Sequence, residues 1–464
     1  MKRQLPAPSV APIAPAASVA RTSELTDVVV LRYDDLAAGS DLTASISTAF
    51  GPDGLGILAV SGVPDVARQR QALLPLAPRF ASMPRDVKAQ YEHPESFWSF
   101  GWSHGKEKLQ GRPDFAKGSY YNNPCENAPF KDPKIIKEFA SFAHPNIWPT
   151  KHLPELEPAF MELGQTIVRV GKLVAKQCDR FVEKRSPAYA KGKLTRVLET
   201  SRVTKARLLH YFPPAAASEE GEAVTKKPEA QAQQPPPRFR GRSGSFSGFE
   251  DMLGKSSGGL HAADAAKADA AAVVAAAAAA AATSPPQKTT NGDDEFSSWC
   301  GWHNDHGSLT GLCPAMYFQE PTEDCPTHTQ LAKNPCPSAG LYIRSRSGSL
   351  HQVRAPSTSC LLFQIGETSQ IHSGGILQAT PHAVKGSSRT DVCRSSFAVF
   401  MEPGWEGDMQ APADRAPGEA QSSLAEAALP NGVPPLKERW GTPGCPFTTC
   451  NFGEFTKATL GALH

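Results

Sequence analysis

The stretch Trp302-His303-Asn304-Asp305-His306-Gly307 decides how this chain is read. It opens a region, Trp299 to Pro403, of short apolar or alternating runs broken by Gly, Pro and Ser. On a strand, residues two apart project to the same face. His303 and Asp305 would then present an imidazole and a carboxylate together. The chain holds 13 His, so one His-x-Asp alone carries little. Two later segments add weight. Thr380-Pro381-His382-Ala383-Val384 starts another β-like run, spaced for a neighbouring strand of a barrel. Arg394-Ser395-Ser396-Phe397-Ala398-Val399-Phe400 puts a guanidinium and a hydroxyl on one strand face just before an apolar run. A buried Arg without a partner is costly, and its planar fork suits a carboxylate, so a carboxylate ligand would resolve the cost.

Further candidate strands are Ser308–Leu312, Ala315–Gln319, Gly340–Arg344, Cys360–Ile365, His382–Lys385 and Ser396–Met401. Many short strands with regular turn signals indicate a sandwich or barrel. Two His and one carboxylate can hold one face of an octahedral metal and leave three positions open, the donor set of non-haem Fe(II) oxygenases. His306 is a competing ligand or a neighbour of the ligands, and His372 is a rival for His382.

The order His-x-Asp, distant His, Arg-x-Ser resembles the Fe(II)/2-oxoglutarate-dependent dioxygenases, and more closely the branch that includes isopenicillin N synthase. Leu208-Leu209-His210-Tyr211-Phe212-Pro213-Pro214 resembles that branch's Asn-Tyr-Tyr-Pro-Pro strand, with His210 in place of the usual Asn. Gly340-Leu341-Tyr342-Ile343-Arg344, Phe363-Gln364-Ile365-Gly366-Glu367, Gly54–Pro64 and Asn451-Phe452-Gly453-Glu454-Phe455 are similar to further segments of the branch. The resemblance implies a mainly β fold with flanking helices around a double-stranded β-helix, or jelly-roll, core. It implies Fe(II) held by His303, Asp305 and His382. It also implies 2-oxoglutarate held at its far carboxylate by Arg394 and Ser396 with support from Tyr211. The activity implied is oxidation of a small organic substrate by O2 (hydroxylation, desaturation or ring closure), with 2-oxoglutarate decarboxylated to succinate. Isopenicillin N synthase itself uses no 2-oxoglutarate and binds its substrate's own carboxylate with the Arg-x-Ser pair. That alternative therefore stays open, as does a non-catalytic binding protein on the same fold. Tyr120 and Tyr121 lie where the branch has substrate-facing residues, with aromatic packing as the competing reading.

Outward from these motifs, Leu156–Val182 is the clearest helix, with Leu156, Phe160, Leu163, Ile167, Val170, Val174 and Phe181 forming one apolar stripe. Folded sequence is expected from Val28, with strands at Val28–Leu31, Gly54–Val60 and Arg207–Phe212. Helices are expected at Asp41–Phe50, capped by Asp41, and at Asp65–Phe80, broken by Pro75 and Pro78. Phe97 to Asn123 reads as aromatic-rich and irregular, and Cys325–Pro337 as a small loop insertion. The chain then divides into residues 1–24, a disordered tail or transit peptide; 25–214, the helical and β N-terminal portion; 215–298, a low-complexity insertion; and 299–464, the jelly-roll core. The insertion has few large apolar residues to offset chain entropy, and its Arg238–Phe249 tract is a weak RNA-contact candidate against a plain linker.

A net charge of +2 over 464 residues argues against bulk electrostatic binding of nucleic acid. The longest apolar run, Ala270–Ala282, falls short of the ~20 residues a membrane span requires. The expected compartment is the cytoplasm, with organelle import through the N-terminus as the alternative. The ten Cys include no CxxC pair, so free thiols are expected and a structural zinc site finds little support.

Overall fold

The computed structural model describes residues 24–106, 108–109, 112–214, 299–421, 429–430 and 433–461. The tail reading of residues 1–23 lies outside them, as does the insertion reading of 215–298 with its RNA-contact candidate. Two sheets face one another. The larger runs, in order, through Val29–Arg32, Ile57–Ser61, Leu361–Ile365, Leu309–Gln319, Val392–Met401, Lys205–Tyr211, Lys117–Asn122 and Gly101–His104. The smaller runs through Glu24–Thr26, Leu350–Val353, Gly340–Arg344, His382–Lys385 and Cys300–His303. Most pairings are antiparallel; Val29–Arg32 on Ile57–Ser61 and Glu24–Thr26 on Leu350–Val353 are parallel. The fold is thus mainly β with flanking helices, as expected.

Hydrophobic burial against the larger sheet is what the long helix supplies. It spans Leu156–Glu183, and all seven residues of the predicted stripe are at most 1% exposed. The Phe160 ring meets Phe397 edge-on at 4.8 Å. Contact is close because Gly311, on the sheet, carries no side chain. A Cβ there would lie 2.2 Å from Ile167. The expected 65–80 helix breaks into Val66–Leu73 and Leu76–Ala81, with Pro75 at the break. Asp41 accepts bonds from the Thr43 backbone and hydroxyl at 3.0 and 2.7 Å, at the start of helix Thr43–Phe50.

Four expectations need correction. Among the described residues strand pairing already includes Glu24–Thr26, before Val28. Ser308–Leu312 and Ala315–Gln319 form one strand, bent where its register shifts between Cys313 and Met316. There Arg70 donates to the carbonyls of Pro314 and Ala315, both at 2.6 Å. The segment Phe97–Asn123 is not irregular: Gly101–His104 and Lys117–Asn122 extend the larger sheet. The second of these strands is buried along its whole length, so it lacks the alternation that would reveal it. Finally, Cys445 and Cys450 form a disulfide, because the turn between them brings their Cα atoms to 4.6 Å. The other eight Cys are free. Among the described residues no helix is long and apolar enough to cross a membrane.

Candidate metal and carboxylate site

Strand register brings the two imidazoles together. His303 and His382 are direct partners on neighbouring strands of the smaller sheet, with ring centroids 4.2 Å apart. Asp305 lies just past the end of its strand, not on it. Its carboxylate Oδ1 is nevertheless 3.9 Å from Nε2 of both His303 and His382. The ligand atoms of the three residues all lie within 4.8 Å of one another. His303 Nδ1 bonds the Gly301 carbonyl at 2.9 Å, and His382 Nδ1 bonds that of Thr380 at 3.3 Å. Those carbonyls can only accept, so each Nδ1 carries the proton and each Nε2 keeps its lone pair. Burial lowers both imidazole pKa values, that of His382 to about 4 with His303 as the second cause, which keeps them neutral. Asp305 Oδ2 is buried without a hydrogen-bond partner. Two outward lone pairs beside a carboxylate whose second oxygen has no hydrogen-bond partner fit a divalent metal.

The loop that carries Asp305 is stitched to a second element. The Glu367 and Thr368 amides, at the start of helix Glu367–His372, donate to the carbonyls of Asp305 and His306 at 2.8 and 3.2 Å. Asn304, between the two ligand candidates, donates to Glu367 Oε1 at 3.0 Å. Arg439 then holds Glu367 through two bonds of 2.6 Å, both side chains being almost wholly buried. Gly366 allows this approach, since a Cβ there would sit 2.1 Å from the Gly307 carbonyl oxygen.

A cavity of about 690 Å³ lies between the sheets, lined by the triad and by Tyr211, Arg394 and Ser396. Arg394 and Tyr211 are direct partners across neighbouring strands. The guanidinium lies 4.8 Å from the Tyr211 ring centroid and 3.4 Å from the Ser396 hydroxyl. Arg394 is only 9% exposed, its Nε has no hydrogen-bond partner, and no carboxylate pairs with it among the described residues.

Other candidates fall elsewhere. His372 lies on the helix, its Nε2 bonding the Asp408 carbonyl at 2.7 Å, outside the triad. His306 stacks on Phe452 with its ring centroid 5.3 Å away. Tyr120 and Tyr121 do not line the cavity. Tyr120 is packed against Phe80 with its hydroxyl on the Ile147 carbonyl, and Tyr121 lies 5.0 Å from the Arg207 guanidinium. Aromatic packing, the competing reading, describes Tyr120.

Sequence reasoning passed over the charged lining. Lys205, Arg207 and Glu402 line the cavity although each is under 7% exposed. Burial pushes the Lys205 amine down and the Glu402 carboxyl up. The available signal was charges two apart, Lys205 and Arg207, inside an otherwise apolar strand. The loop read as an insertion also takes part, since Gln330 to Asn334 line the cavity.

No protein-family model and no curated protein matches this chain. Solved structures do. The chain is similar to a full-length Neurospora crassa protein in complex with alpha-KG and thymine, at 14% identity and a TM-score of 0.50, over 94% of this chain and 97% of that one. It is also similar to JOX2 in complex with 2OG, Fe and JA, at 15% identity and a TM-score of 0.46, over 87% and 81%. A third is the Arabidopsis thaliana dioxygenase for auxin oxidation 1 with 2-oxoglutarate, at 12% identity and 0.43, over 84% and 97%. The likeness to the Neurospora crassa protein, over nearly the whole of both chains, shows the fold: the two facing sheets are a double-stranded β-helix core.

Proposed function

We propose that this protein is a non-haem Fe(II) oxygenase that uses 2-oxoglutarate and O2 to oxidise a small organic molecule. One observation carries the reading. A buried guanidinium without a carboxylate partner, Arg394, shares a cavity with three converging metal-ligand candidates, His303, Asp305 and His382. A dicarboxylate cosubstrate answers both needs, one end at the metal and the other at Arg394. The ordered motifs around Tyr211, Arg344 and His382 favour the branch that includes isopenicillin N synthase. We place the protein in the cytoplasm, or in an organelle reached through its N-terminus.

In this reading His303, Asp305 and His382 hold Fe(II), and the backbone bonds on each Nδ1 keep the rings oriented. Bound iron with 2-oxoglutarate supplies the oxidation of an unactivated C–H bond by O2. Arg394 and Ser396 bind the far carboxylate of the cosubstrate, and the Tyr211 ring fixes the guanidinium plane. The apolar strand faces around them exclude water, which strengthens those bonds. Lys205, Arg207 and Glu402 suit a substrate with polar groups.

The test is anaerobic titration of the Fe(II)-loaded protein with 2-oxoglutarate, following the weak visible charge-transfer band. A band is expected in the wild type. Arg394→Ala should keep its iron and bind 2-oxoglutarate about 100-fold or more weaker, since a charged hydrogen bond contributes about 1.5–3 kcal/mol and a guanidinium makes two. Asp305→Ala should lose iron. Bound iron with no band at any 2-oxoglutarate concentration refutes the cosubstrate assignment and leaves the oxidase alternative.

A further inference from the structure

A second cluster of metal-ligand side chains lies behind the carboxylate end of the cavity. His210 and Cys393 sit on adjacent strands of the larger sheet, beside Tyr211 and Arg394 in sequence. Side chains alternate along a strand, so Tyr211 and Arg394 face the cavity while His210 and Cys393 face the other way. Glu320 follows the end of the third strand, Leu309–Gln319, and is anchored by its amide to the Asp391 carbonyl at 3.0 Å. His328 comes from the loop that returns to pair Thr329 and Gln330 with that same strand. One ligand atom from each of the four lies within 4.8 Å of the others.

The cluster is incompletely satisfied. His210 is 2% exposed and Cys393 0%, yet His210 Nδ1 and Glu320 Oε1 are buried with no hydrogen-bond partner. What binds the group internally is a contact of 3.4 Å between His328 Nε2 and Glu320 Oε2, and a bond from the Cys393 thiol to Glu320. Buried polar atoms are rarely left unpaired, and one cation would engage all four residues. In a tetrahedral zinc site, bonds of about 2.0–2.3 Å put neighbouring ligand atoms about 3.3–3.7 Å apart, within reach of small side-chain adjustments here.

We propose that His210, Cys393, Glu320 and His328 form a closed structural site for a zinc-class divalent cation, tying the 320–330 loop to the back of the strands that carry Tyr211 and Arg394. Two imidazoles, one thiolate and one carboxylate are a borderline-soft set suited to Zn(II), and four protein ligands leave no open position for chemistry. Binding replaces the thiol S–H bond with an S–metal bond and releases the proton to solvent. The absence of any CxxC hides such a site from the sequence, because its ligands come from four separate segments.

The test uses the full chain carrying Asp305→Ala, so that the cavity triad does not compete and the outcome is independent of the proposed oxygenase activity. Metal analysis after purification should find one equivalent of zinc, falling to none when Cys393→Ser is added. Stripped protein titrated with Co(II) should develop a near-ultraviolet thiolate-to-cobalt band with intense tetrahedral visible bands. Cys393→Ser should abolish the thiolate band, and the loop variant His328→Gln should weaken Co(II) binding at least tenfold. If the Asp305→Ala protein neither retains zinc nor shows a thiolate band, the cluster is a metal-free polar network and the proposal fails. A thiolate band that survives Cys393→Ser overturns it equally, since another Cys then binds the ion.

Discussion

Replacing Arg439 by Met tests whether the Asp305 loop is held from behind. Met roughly keeps the volume of the side chain and removes its charge. Four acceptors lose a bond from the guanidinium: both oxygens of Glu367, of which Oε1 keeps Asn304 as a donor, the Thr459 hydroxyl at 3.1 Å and the Pro434 carbonyl at 3.0 Å. Breaking a buried pair in this way costs about 3–5 kcal/mol. Urea unfolding of wild type and Arg439→Met should differ by about 4 kcal/mol at pH 7. Adding Glu367→Gln, which leaves no unpaired charge behind, should recover most of that loss. Because Asn304 also bonds Glu367, iron affinity should fall in the single variant. A difference under about 1 kcal/mol at pH 7, or no recovery on adding Glu367→Gln, would refute the claim that this buried pair holds the loop.

Two further outcomes are expected. The His372 imidazole is pushed down to about 3, chiefly by burial and then by Lys193. The unfolded chain therefore takes up a proton near pH 6.5 that the native state refuses, and this residue alone costs the wild type about 2 kcal/mol between neutral pH and pH 5. His372→Gln, which can still donate to Asp408, should lose that much less over the same range in urea unfolding; parallel curves would contradict the assignment. Gly366→Ala forces a methyl against the Gly307 and Asp305 carbonyls, and should cost roughly 2 kcal/mol or more while weakening iron binding. Unchanged thermal stability and iron content would show that the loop yields freely.

The convergence of the candidate residues was legible because strand periodicity is strict. His382, Arg394, Ser396 and Tyr211 lie on strands and face the cavity as a period of two requires, and His303 ends a strand. Asp305 comes beside the two imidazoles for a different reason, since a loop stitched to helix Glu367–His372 holds it. Nothing local in Asn304 or Glu367 announces that stitching; the Arg439 that completes it lies 72 residues from Glu367. Tyr120 and Tyr121 could be read either way because a fully buried strand shows no polar alternation, so its aromatic residues look equally able to face a pocket or a core. The His210 cluster was invisible for a related reason, since its meaning arises only when three strand ends and a returning loop meet.

The junction at residues 212 and 299 has a consequence of its own. Trp299 Nε1 donates to the Phe212 carbonyl at 3.3 Å, and the Trp299 ring lies 5.4 Å from that of Tyr211. Whatever chain runs between these points leaves and returns through one fastened gate. Closing a loop costs only logarithmically in its length, about 0.6 kcal/mol for each doubling. By that measure the number of residues joining Phe212 to Trp299 bears little on folding so long as this contact holds. The strands on either side are set by their own pairing, Tyr211 with Arg394 and His303 with His382.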